Sequence, residues 1–326
     1  PAAFRNAITV DMALGGSSAA YNQAVEYART RLQGSHVTRM FEPDAPKVPI
    51  IEHPDVQRML LWMKSWVEGG RMLSYYVSRQ IDLQGLLEGE EAREAKALTD
   101  FLIPLVKAGN SDMVWRITAE AIQVHGGYGY CSEYPVEQLA VDCKALSIVE
   151  GTNGIQSLDL VIRKILMDPG QYKYNVLKER IRRTIESAAG IVGENHRNSL
   201  LEAIDCLDEA VGLMKSLMDS GQLTVLLMNI DPLRRAVSDV LIAWMHLWCL
   251  KLAKPKLAAL TGGTGGKDPA AGLGSNAEAA FYHGKVCSSE FWLATEFPKY
   301  FGKIDAILRG GKLDIGDAHA VFPAFS

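Results

Sequence analysis

Apolar residues recur at helical spacing along almost the whole chain. Between residues 8 and 32, Leu14, Tyr21, Val25 and Ala28 mark one helical face, and the pattern closes near Gly34. Residues 34–53 lose that periodicity and carry Pro43, Pro46, Pro49 and the His53-Pro54 pair, so they read as a loop. A long helix follows Pro54, with Val56, Met59, Leu60, Met63, Val67 and Met72 on one broad stripe. Glu88 to Glu91 form an acidic helix start, as the macrodipole prefers. The helix they open runs toward Gln123, with Pro104 as a site for a kink, and Gly126-Gly127-Tyr128-Gly129 stops it. Two short helices are predicted over 135–147 and 153–167.

Asp168-Pro169-Gly170 is the clearest break in the pattern. Beyond it, residues 198–218 place Leu200, Ile204, Leu207, Val211, Met214 and Met218 on one face. Residues 231–260 form a very apolar helix, 261–275 a glycine-rich flexible loop, and a last long helix starts near Ala279 and closes at Gly310-Gly311. No strand pattern is long enough to nucleate a sheet. The expectation is an all-α fold in two parts, 1–168 and 169–326.

Bulk properties narrow the function. A net charge of −4 gives no reason to expect nucleic acid or an anionic membrane as partner. The greasiest run, Leu241 to Leu250, is too short to span a bilayer and reads as a buried helix. Five scattered cysteines without a Cys-x-x-Cys pair argue for a reducing compartment, the cytoplasm or, in a eukaryote, the mitochondrial matrix. The seven histidines show no metal-ligand spacing, so no metal is assigned. The chain starts Pro1-Ala2-Ala3-Phe4 and runs straight into helical periodicity, which reads as a piece cut from a longer protein.

Two glycine-rich runs fail as nucleotide fingerprints. In Gly262–Gly266 the following Lys267 is succeeded by Asp268 rather than Ser or Thr, and no strand precedes it. Gly127-Tyr128-Gly129 follows a helix, and Ser132 holds the third glycine position. The pairs Trp62/Trp66 and Trp244/Trp248 lie at i, i+4 on apolar helices and read as core.

Two other runs carry more. In Gln123-Val124-His125-Gly126-Gly127, the glycines serve as a helix C-cap, and bare backbone also permits close approach of a phosphate. In Ile148-Val149-Glu150-Gly151-Thr152-Asn153-Gly154, an acid precedes a helix, where a capping role is the plain reading. The order of these runs, with Glu133-Tyr134-Pro135-Val136-Glu137-Gln138-Leu139 and Asp142-x-Lys144 between them, closely resembles the C-terminal helical domain of the acyl-CoA dehydrogenases. Tyr27-Ala28-Arg29-Thr30-Arg31-Leu32-Gln33-Gly34 looks like the segment closing the first helix of that domain. The specific motifs cover residues 1–168. The remainder resembles, more weakly, a helical extension on a longer branch of the family. Gln33, Val141 and Val149 depart from residues common in the family and leave substrate choice open.

The resemblance implies a four-helix up-and-down bundle followed by a second helical domain. It implies FAD-dependent α,β-dehydrogenation of an acyl-CoA thioester, with Glu150 as the base that takes the α-proton. The only early carboxylate, Asp11, lies well into the first helix. Arg31, Gln33, Gln123, Gly126 and Gly127 match residues that contact the FAD of a neighbouring subunit, and Thr152 and Asn153 match a segment beside the flavin. A homo-oligomer, dimer or tetramer, and an electron-transfer flavoprotein are the implied partners. Two other readings stay open: a non-catalytic oligomerisation module of such an enzyme, and an acyl-CoA oxidase.

Overall fold

The computed structural model describes residues 2–262, 276–310, 313–316 and 321–322, with side chains from Met12 onward. The fold is all-α. Helix α1 (Ala2–Thr30) is followed by α2 (Pro54–Leu86) and α3 (Gly89–His125). Pro54 opens α2 at a position where its missing N–H costs nothing. The α3 helix runs unbroken through the buried Pro104. Shorter α4 (Val136–Lys144) and α5 (Asn153–Leu158) come next, and α5 continues into a π-helical stretch, Asp159–Leu166. Beyond the turn at Pro169 lie α6 (Tyr172–Ser187), α7 (Glu194–Asp219), α8 (Leu223–Leu260), α9 (Ala277–Phe291) and α10 (Lys299–Gly310).

Three differences from the periodicity have simple causes. The stretch after α1 holds a small antiparallel hairpin, β1 (Leu32–Ser35) with β2 (Lys47–Pro49). Strands of four and three residues are too short to show alternation. The last predicted helix is two helices, because Pro298 cannot continue α9 and the chain passes through a π turn at Trp292–Glu296. The apolar run at Leu241 belongs to a helix of 38 residues, long enough to cross a membrane, but 72% of its most apolar window is buried inside the protein. Most of the loop predicted at 261–275, and Gly311, lie outside the described residues.

Two apolar clusters are joined by the α2–α3 hairpin. One end of the hairpin, Met59, Leu60, Met63 and Val67 with Ile117, Ala121 and Val124, packs on Ala20, Ala24 and Ala28 of α1. The alanines let α1 approach closely. The other end, Leu73 and Val77 with Leu98, Phe101, Leu102 and Leu105, shares one core with α6, α7, α8 and α10. That core runs across the Asp168-Pro169-Gly170 turn without interruption. Trp62, Trp66 and Trp292 form a chain of edge-to-face contacts between α2 and the end of α9. Trp244 is buried and stacks on Trp248.

Candidate functional site

Residues from the end of α1, the hairpin segment after it and the C-terminal end of α3 meet in one open pocket of about 480 Å³. Arg31 follows α1 and is pinned by its backbone: its N–H donates to Tyr27 O at 2.9 Å, and its carbonyl accepts from Ile50 N at 2.8 Å. Gln33 sits on β1, and His53 Nε2 donates to its carbonyl at 2.6 Å. Gln123, Gly126 and Gly127 come from the end of α3. Gly126 has φ 63° and ψ −144°, a conformation closed to residues with a Cβ. A Cβ built on Gly126 or Gly127 would meet no atom within 4 Å, so the backbone here faces open space.

The floor of this pocket is aromatic. Tyr27 stacks on the buried His125 at 4.4 Å, and the His125 Nδ1–H donates to Ala121 O at 2.8 Å. The Arg31 guanidinium lies 5.3 Å from the Tyr128 ring centroid. Among the described residues Arg31 is the only Lys or Arg in the lining, and none of them there is Asp or Glu. The pocket is thus suited to an anion with a flat apolar part. His53 and Tyr128 were not singled out from the sequence: His53 reads there only as the residue before Pro54, and Tyr128 as part of a glycine turn.

Glu150 lies elsewhere, on the turn between α4 and α5. It is exposed and has φ 57°, one of only two non-glycine residues with positive φ among the described residues. Gly151 follows at φ 90°, where a Cβ would press on Gln156 Nε2 at 3.0 Å. Glu150 does not cap α5. Thr152 does, its Oγ1 accepting from Ile155 N at 3.4 Å. Among the described residues the Glu150 carboxylate makes no hydrogen bond or ion pair, and its N–H has no acceptor. A left-handed non-glycine residue costs about 1–2 kcal/mol and persists only where its surroundings impose it.

Those surroundings are polar and buried. Lys107, with no exposed surface, reaches from α3 and donates to Gly151 O at 2.8 Å and to Asn153 Oδ1 at 2.9 Å. Burial pulls the Lys107 ammonium below the ordinary lysine range, and the Asp112 and Glu150 charges oppose that shift. The Asn153 side chain is turned inward. Its Nδ2 donates to Asp112 Oδ1 at 2.8 Å, and its Oδ1 also accepts from Ser111 at 3.1 Å. The predicted residues therefore fall into two groups. Arg31, Gln33, Gln123, Gly126 and Gly127 share the pocket, whereas Glu150, Thr152 and Asn153 share the turn. Lys107 marks the turn and Gln123 the pocket, so the groups lie about 24 Å apart along α3 at 1.5 Å per residue.

The family description "Acyl-CoA dehydrogenase, C-terminal domain" matches residues 5–166, which hold both groups, and "Acetyl-CoA dehydrogenase C-terminal like" matches 177–313. The butyryl-CoA dehydrogenase of Syntrophomonas wolfei is 34% identical over 303 residues, covering 90% of this chain and 46% of that protein. The chain belongs to the acyl-CoA dehydrogenase family. It spans about half the length of the curated acyl-CoA dehydrogenases it matches. A Bacillus anthracis acyl-CoA dehydrogenase solved with FAD superposes with a TM-score of 0.63 at 18% identity, over 96% of this chain and 50% of that one. A Caenorhabditis elegans acyl-CoA oxidase solved with FAD and ATP superposes with a TM-score of 0.60 at 14% identity, over 94% and 50%. These two likenesses establish the shared helical fold of the acyl-CoA dehydrogenase and oxidase chains.

Proposed function

We propose that this chain supplies the C-terminal helical half of an FAD-dependent acyl-CoA dehydrogenase, with Glu150 as the base that takes the α-proton of the thioester. The observation that carries the reading is the Glu150 turn. An exposed carboxylate without a partner is held in left-handed backbone, beside an N–H without an acceptor.

The pocket residues fit the flavin. The bare backbone of Gly126 and Gly127 borders open space, Arg31 supplies the cation, and no carboxylate among the described lining residues opposes an anion. Arg31, Gln33, Gln123, Gly126 and Gly127 would hold the phosphate and adenosine part of FAD. Bound FAD supplies the hydride acceptor. Glu150 removes the α-proton, and its own N–H donates to the thioester carbonyl as charge grows on that oxygen. Such a donor gains strength where water is excluded. The separation of about 24 Å between turn and pocket supports a homo-oligomer, in which one copy offers Glu150 to one flavin and its pocket to another. Electrons would leave to an electron-transfer flavoprotein.

The test is anaerobic mixing of the full-length protein carrying this sequence, loaded with FAD, with butyryl-CoA and longer straight-chain acyl-CoA thioesters. Bleaching of the flavin with formation of enoyl-CoA is expected. Unchanged colour with every thioester would contradict the reading and favour an oligomerisation module.

A further inference from the structure

We infer that Arg234, on α8 of the second helical array, is a positioning residue for Glu150, acting through Asp112, Asn153 and Lys107. The inference rests on Glu150 being the base. Arg234 is 1% exposed, and its Nε and Nη2 find their acceptors within the protein. Its Nη2 donates to Asp112 Oδ2 at 2.7 Å and to Asp231 Oδ1 at 2.8 Å. Its Nε donates to Ser157 Oγ at 3.0 Å and Asp231 Oδ1 at 2.9 Å. Ser157 Oγ in turn donates to Asp231 Oδ1 at 2.8 Å.

The chain of contacts from Arg234 ends on the carbonyl beside Glu150. Asp112 accepts from Arg234 with one oxygen and from Asn153 with the other. Asn153 accepts from Lys107, and Lys107 donates to Gly151 O. Asn153 and Ser157 stand one turn apart on α5: α8 holds Ser157 directly, and reaches Asn153 through Asp112 of α3. Asp112 and Asp231 are paired with Arg234 and Arg235, and the buried Lys107 ammonium that ends the chain of contacts interacts with the Glu150 charge.

Packing alone does not call for this arrangement. Each buried cation costs several kcal/mol of desolvation, and apolar side chains of similar volume often serve stability as well or better. What the polar chain adds is one fixed geometry for the start of α5, and hence for the left-handed turn in front of it. It also gives the second array a role in the chemistry, since Arg234 and Asp231 belong to α8.

The test uses the full-length FAD-loaded protein and butyryl-CoA, in a double-mutant cycle of Arg234→Met and Glu150→Gln. Arg234→Met should keep its flavin and its acyl-CoA affinity within about three-fold, while the limiting rate of flavin reduction falls at least about ten-fold. Arg234→Lys should recover part of that rate. In the Glu150→Gln background, Arg234→Met should have little further effect, because it acts through the same group. A rate within two-fold of wild type in Arg234→Met, or independent multiplication of the two effects, would overturn the inference. If Arg234→Met does not fold, Asp112→Asn takes its place in the cycle with the same expectations. A Glu150→Gln protein that reduces its flavin normally would instead overturn the assignment of the base.

Discussion

Lys107 Nζ donates to the carbonyl of Gly151 at 2.8 Å from a position with no exposed surface. A single side chain of α3 thus fixes the residue that follows Glu150. Replacing Lys107 by Met leaves Gly151 O and Asn153 Oδ1 each short of one donor. The loosening should be local. Amides of residues 150–156 are expected to exchange with deuterium about ten-fold faster, while the core of α8 keeps its protection. Unchanged exchange at the turn would show that Lys107 does not restrain it.

His246 is fully buried, with Nε2 donating to Ser65 O at 3.0 Å and Nδ1 accepting from the Ser289 hydroxyl at 3.0 Å. Burial lowers its pKa to about 4, against the pull of Glu68. Between pH 6.5 and about 4 the unfolded chain therefore takes up a proton that the folded chain refuses. Stability should rise with pH through this window, and the neutral imidazole's full advantage is present above it. The span is about 3 kcal/mol at 1.36 kcal/mol per pH unit. Urea unfolding of His246→Gln between pH 4.5 and 7.5 should show a flatter slope than wild type. Equal slopes would remove His246 as the cause.

Leu102 has no exposed surface and lies in the core shared by α3 with α6, α7 and α8. Leu102→Ala should cost about 2–5 kcal/mol. Because that core spans the Asp168 turn, far-UV circular dichroism and tryptophan fluorescence should report one coincident transition in urea, shifted together by the substitution. Two separated transitions, only one of them moved, would mean that the two parts unfold independently.

Much of this was legible in the sequence, and the rest was hidden for identifiable reasons. The long apolar stripes of α2 and α7 are visible because each buries one broad face over many turns. The break at Phe297-Pro298 was also written in the chain, but the apolar residues on either side mask it. Glu150 was found through the order of Gly151, Thr152 and Asn153 and the runs before them. Its positive φ is a property of the folded turn, which sequence does not display. The Arg234–Asp112 tie joins residues 122 positions apart and leaves no periodic trace. Lys107 did leave one: a lone lysine inside Leu105-Val106-Lys107-Ala108, on the buried face of a helix, signals a charge with an internal partner.

The 326-residue chain by itself is expected to be folded but colourless. Its pocket offers one cation, two amide side chains and bare glycine backbone. Association costs about 4–15 kcal/mol, and two or three charge-assisted hydrogen bonds at about 1.5–3 kcal/mol each barely offset it. Purified chain mixed with FAD should show no retained visible absorbance after gel filtration. Stoichiometric FAD that bleaches with acyl-CoA would mean that this half is sufficient alone.

If Glu150 takes the α-proton, Glu150→Gln of the full-length protein should lose stopped-flow flavin reduction. The substitution keeps size and hydrogen-bonding capacity but removes the base. FAD content and butyryl-CoA affinity should stay close to wild type, while the rate of flavin bleaching falls by about a thousand-fold or more. Bleaching at a rate near wild type would mean that another group takes the proton.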